Sequence, residues 1–95
     1  MAAYVIAEID VTDPAGYEEY RRLAPPTIAA YGGKFVVRGG KVEMLESSWT
    51  PKRLVMLQFD SVERAKEWWS SKEYGRAKQV RHKTATTNMI VVEGV

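Results

Sequence analysis

Glu8, Arg38 and His82 are the side chains of this 95-residue sequence whose types and settings could carry a reaction. Glu8 falls in an alternating run, Ala3 to Asp10, on the side that also carries Tyr4 and Ile6. A half-buried carboxylate there is a candidate general base; the plainer alternatives are a structural ion pair or a rim residue facing water. Arg38 lies in GGKFVVRGG, Gly32 to Gly40, and alternation places it with Glu8 on the side of the sheet away from the helices, although a slip of one residue in hairpin register would turn it the other way. A fixed guanidinium suits an enolate or carboxylate, though Arg38 could equally pair with Glu46 across a hairpin. His82 is the sole histidine and a candidate acid or base, but it sits between Arg81 and Lys83, where simple exposure explains it.

Several chemistries are poorly supported. GGKFVVRGG lacks the spacing of a phosphate loop, and no helix follows its second glycine pair. With one histidine and no cysteine, neither a disulfide nor a thiolate site can form, and a dedicated transition-metal site is not expected. No cofactor is called for. The net charge is only +2, a weak argument for nucleic acid, and the sheet surface offers acids where stacking proteins offer bases. No apolar run approaches the ~20 residues of a membrane span. The N-terminus lacks the basic, then apolar, pattern of a secretory signal, so the cytoplasm is the default location. The basic stretch Lys72 to Lys83 reads first as a solvated helix face and second as a patch for an anion or an acidic partner.

The elements that must position these groups follow from periodicity. Val5, Ala7 and Ile9 alternate with Tyr4, Ile6 and Glu8, a strand signature. Asp13-Pro14 is a helix start, followed by Tyr17, Tyr20, Ala24, Ile28 and Tyr31 at helical spacing; Pro25-Pro26 should break or kink that helix. Lys34 to Arg38 reads as a strand, Gly39-Gly40 as a tight turn, and Val42 to Glu46 as its hairpin partner. Arg53 to Asp60 is the clearest strand. Ser61 caps a helix whose stripe includes Ala65 and Trp69, with Trp68 left to a helix edge or an interface. Ser71 opens a further helical piece, and Asn88 to Glu93 closes as a strand.

This order predicts one α+β domain over residues 1–95, a ferredoxin-like sandwich with helices on one face of an antiparallel sheet. The helix-facing set is Val5, Ala7, Ile9, Val55, Leu57, Phe59, Ile90 and Val92. The opposite face takes Tyr4, Ile6, Glu8, Leu54, Met56, Gln58, Met89, Val91 and Glu93. That face is too apolar to stay wet, yet it carries polar groups that a plain core would avoid. Both features predict a second copy packed sheet to sheet around a cavity. Tyr4, Ile6, Met56, Gln58 and Met89 would line that cavity, and Trp49, from a loop, would either cap it or simply pack on a neighbour.

The segments YVIAEIDVTDPAGYEEY, GGKFVVRGG, VEMLE, RLVMLQF, SVERAKEWWSSKEY and VVEGV together resemble the domain-of-unknown-function family 1330, within the dimeric α/β-barrel superfamily. The resemblance spans nearly the whole chain in order. It implies a homodimer in which two ferredoxin-like sheets form a barrel, and it names no substrate. Members of the wider superfamily include cofactor-free monooxygenases, isomerases, cyclases, haem-degrading enzymes and non-catalytic binders. Two positions depart from the family pattern: Glu46-Ser47 stands where the family commonly has Glu-Gly, and Gln58 where it commonly has a carboxylate.

Two functions follow as expectations. One is a homodimer that binds a small hydrophobic or aromatic metabolite at the open sheet face. The other is a cofactor-free enzyme in which Glu8 or His82 is the base and Arg38 stabilises an oxyanion.

Overall fold

The computed structural model describes residues 1–95. The elements are β1 (Ala3–Val11), α1 (Pro14–Ala30), β2 (Lys34–Arg38), β3 (Leu54–Phe59), α2 (Val62–Trp69), α3 (Lys72–Thr84) and β4 (Ala85–Glu93). All strand pairs are antiparallel, in the order β2-β3-β1-β4. The helices cover one face of this sheet. The result is the expected α+β ferredoxin-like fold, a slab with extents of 36 × 34 × 16 Å.

Short polar residues start each helix. The Asp13 carboxylate accepts from the Gly16 amide at 3.1 Å, with Pro14 just inside the first turn. The Ser61 and Ser71 hydroxyls accept from the Arg64 and Tyr74 amides at 3.0 and 3.1 Å. Each bond satisfies a donor that the first helical turn cannot. Between the sheet and the helices lies a core built on Val5, Leu57 and Phe59 from the strands and Ala24, Ile28, Trp68 and Tyr74 from the helices.

Five local expectations need correction. Helix α1 continues unbroken through Pro25 and Pro26. The carbonyls deprived of donors belong to Arg21 and Arg22, both exposed, so water can take the place of the missing amides. Trp68 is buried, at 1% exposure, whereas Trp69 is 46% exposed; the Trp68 indole also donates to the Thr27 hydroxyl at 3.1 Å, while Lys78 lies 3.6 Å over the Trp69 ring. Val42 to Glu46 forms no strand: the hairpin partner of β2 is β3 itself, the segment belongs to the connection between them, and the outer edge of β2 stays unpaired. Gly39, at φ +70°, holds the turn conformation, and Gly40 does not.

The fifth correction concerns β4. Val5 pairs with Val91 and Ala7 with Met89, so Met89 and Val91 share the helix-facing side and join the core. Ile90 and Val92 lie on the open face, with Ile90 60% exposed. Four consecutive apolar residues carry no alternation to decide the facing; pairing with β1 decides it.

Candidate functional site

Between α1 and the sheet is a cavity whose walls are mostly apolar: Val5 and Ala7 from β1, Ala24 from α1, Leu57 from β3. Free room for a water-sized sphere is about 30 Å³, within an envelope of about 470 Å³ that includes the open mouth. Val5, Trp68 and Met89 also border a second hollow between α2 and β4, with about 150 Å³ of room. Met89 is the most adaptable of these three dividing side chains, because an unbranched thioether changes rotamer readily.

Polar groups converge on the first cavity from two sides. On one side stand the tyrosines of α1. Tyr17 and Tyr20 have ring centroids 5.3 Å apart, and the Tyr20 hydroxyl meets that of Tyr74 at 2.7 Å. The Tyr74 hydroxyl accepts from Nε of Arg81 at 3.3 Å. Burial pushes the Tyr20 phenol far above its ordinary range, and the neighbouring Tyr74 adds to the shift. Burial also raises Tyr17, opposed by the nearby Arg53 guanidinium. Both phenols therefore stay neutral hydrogen-bonding groups at physiological pH. Arg81 is 4% exposed and forms no ion pair with any carboxylate. The basic stretch is thus dispersed: Arg81 points into the protein, Arg76 pairs with Glu19 at 3.3 Å, and Lys78 lies on Trp69.

On the other side stand Arg38 and Arg53, both lining the cavity. The sequence placed Arg38 beside Glu8 on the open face. The register shifts between Phe35 and Val37, so that Val37 is opposite Met56 and Arg38 opposite Val55. The bulge at Val36 turns Arg38 to the helix side. Its guanidinium lies 4.2 Å over the Phe35 ring, and it forms no pair with Glu46.

Glu8 and Trp49 do meet. The Trp49 indole donates to one Glu8 oxygen at 3.2 Å, and the Asn88 amide approaches the other at 3.5 Å. Glu8 belongs to an open, polar groove with Asp10, Thr50 and Lys52, not to the apolar cavity. Tyr4, Ile6, Met56 and Gln58 lie on the open face as expected, Tyr4 opposite Gln58 and Ile6 opposite Met56. Met89 does not join them, for the pairing reason given above. His82 is exposed on α3 and lines neither the cavity nor the groove. Glu8, Arg38 and His82 are therefore not assembled into one centre. Arg21, Arg53, Tyr17 and Tyr20 are polar groups of the cavity that the sequence did not single out for a site. Arg53 left a usable signal: it shares alternation with Val55 and Leu57 on the helix-facing side of the clearest strand. No group of three or more histidine, aspartate or glutamate side chains is placed to hold a metal ion, and no helix is long and apolar enough to cross a membrane.

A family model described as Domain of unknown function (DUF1330) matches residues 2–95. Among solved structures, the chain is similar to RPA0582 of Rhodopseudomonas palustris, a protein of unknown function. The identity is 18%, the TM-score is 0.78, and the match covers 99% of this chain and 82% of that one. It is also similar to SnoaB of Streptomyces nogalater, a cofactor-independent oxygenase, at 10% identity and a TM-score of 0.67, covering 99% and 93%. A dimeric protein of unknown function with a ferredoxin-like fold from Bacteroides fragilis matches at 12% identity and a TM-score of 0.66, covering 98% and 96%. At these identities the likeness shows the fold. No curated protein matches.

Proposed function

The chain belongs to the DUF1330 family, and from that premise we propose that it binds a small, mostly apolar molecule in the cavity between α1 and the sheet, as a homodimer. The observation that carries the binding reading is the cavity itself: apolar walls with a few convergent polar groups, the composition typical of small-molecule sites. A ligand would enter by displacing side chains, Met89 first. Glu8 and His82, the two candidate bases, do not line this cavity, so the geometry supports binding rather than the enzymatic alternative.

Self-association is supported by the open sheet face and by the dimeric neighbour from Bacteroides fragilis. Ile90 and Val92, with Met44 and Leu45 of the loop after β2, are exposed. An apolar surface of this kind is normally covered by a partner. Each fully buried aliphatic side chain contributes about 1.5–3 kcal/mol.

The test is a thermal-shift screen of apolar and aromatic compounds against the parent and against Ala24→Leu, which fills the cavity. The parent should be stabilised by hits that leave Ala24→Leu unmoved, and sedimentation at micromolar concentration should give twice the chain mass. Hits that stabilise both proteins equally would place binding outside the cavity, and a well-folded monomer at that concentration would remove the dimer.

A further inference from the structure

We infer that Arg38 and Arg53 form an anion subsite at the mouth of the cavity, and that the ligand is an apolar molecule ending in a carboxylate. This rests on the binding reading above and adds the chemical class of what is bound.

The placement comes from the sheet. Arg38 is opposite Val55, and Arg53 is two residues before Val55, so the two arginines are diagonal neighbours on the helix-facing side of an antiparallel pair. Both line the cavity. Neither has an acidic partner: the ion pairs of the protein engage Arg21, Arg22, Lys52, Arg64 and Arg76. Arg21, also at this cavity, is held by Glu18 at 3.2 Å. Two like charges on one face repel unless an anion lies between them.

The two side chains are also held from behind. Arg38 is stacked on Phe35, which leaves the donor edge of the guanidinium free. The Arg53 carbonyl accepts from the Ile9 amide at 2.8 Å. Its guanidinium lies across Gly39, where any side chain would collide with it. Its Nε is buried and has no hydrogen-bond partner, which is unfavourable for a charged donor. An incoming carboxylate would supply the acceptor and the countercharge together, while the apolar walls would take the rest of the molecule.

The test compares 2-naphthoate with its neutral isostere 2-naphthamide by calorimetry. The parent should bind the naphthoate at least about tenfold more tightly at low salt, with the preference shrinking in 0.5 M NaCl as screening grows, on the order of a 3–10 Å Debye length. In Arg38→Gln/Arg53→Gln that preference should collapse, and Arg53→Lys, which keeps charge but not the planar fork, should retain part of it. Circular dichroism on each variant checks that the fold persists. Equal binding of the two probes by the parent, or an undiminished preference in the folded double variant, would overturn the subsite and leave the cavity reading intact. If neither probe binds and the methyl resonances of Ala7 and Ala24 do not move, the cavity reading falls, and the subsite with it.

Discussion

Removing a single oxygen from Tyr74 should destabilise the protein severely. Tyr74 is fully buried, its ring centroid 4.1 Å from that of Trp68, and Tyr74→Phe leaves this packing in place. What it removes is the hydroxyl that joins Tyr20 at 2.7 Å and receives Arg81 Nε at 3.3 Å. A neutral hydrogen bond contributes about 1 kcal/mol net, and one to a charged group about 1.5–3 kcal/mol. Arg81 has no carboxylate to turn to, so its buried guanidinium would lose that acceptor. The sum is about 3 kcal/mol, or roughly 15 °C in Tm for a domain of this size. The assay is urea unfolding at fixed protomer concentration, run as a double-mutant cycle with Arg81→Met. Removing both partners should be much less damaging than the two single losses combined, because apolar replacement of a whole buried polar pair is often close to neutral. A loss below about 0.5 kcal/mol for Tyr74→Phe, or strict additivity in the cycle, would refute the reasoning.

Three further outcomes follow from particular residues. Gly39→Val should lose about 1–3 kcal/mol, because its φ of +70° strains a β-branched residue. Gly40→Val, where a Cβ meets nothing, should stay within about 0.5 kcal/mol; chemical denaturation of both decides the matter, and the reverse order would place the turn wrongly. Ser47 holds φ +69°, the one positive value outside glycine. Ser47→Gly should therefore raise stability by about 0.5 kcal/mol, the relief of left-handed strain less the added freedom of the unfolded chain, and a lowered melting temperature would contradict this. The raised phenols of Tyr17 and Tyr20 predict stability that is complete below pH about 10, where the unfolded phenols are also protonated. It should fall as pH rises further, because the unfolded chain then releases protons that the fold retains. Tyr20→Phe should flatten that alkaline decline in urea titrations, and an unchanged slope would count against a buried neutral phenol.

Much of the architecture was legible because local signals agreed with one another. Asp13-Pro14, Ser61 and Ser71 each mark a helix start with a hydroxyl or carboxylate that the first turn needs, and the alternation of β1 and β3 is unambiguous. The misplacements arose where one residue of register decides everything. Met89-Ile90-Val91-Val92 is apolar on both parities, so only its pairing with β1 gives the facing. The bulge at Val36 reversed Arg38, and nothing in Lys34 to Arg38 announces it. Trp68 and Trp69 compete for one stripe, and packing against Phe59 and Tyr74 chose Trp68. The open face was read as unsuited to water and as one wall of a cavity shared with a second copy. Within one chain a hollow forms under α1, lined by small residues such as Ala7 and Ala24, and periodicity does not reveal it.

The central claim is that small molecules enter beneath α1 and not against the open sheet. Methyl-resolved NMR during a titration with 2-naphthoate tests it most directly. Shifts are expected at the Ala7, Ala24 and Met89 methyls, with those of Ile6 and Met56, paired on the open face, unmoved. Shifts confined to Ile6 and Met56 would contradict the claim and return the site to the open face.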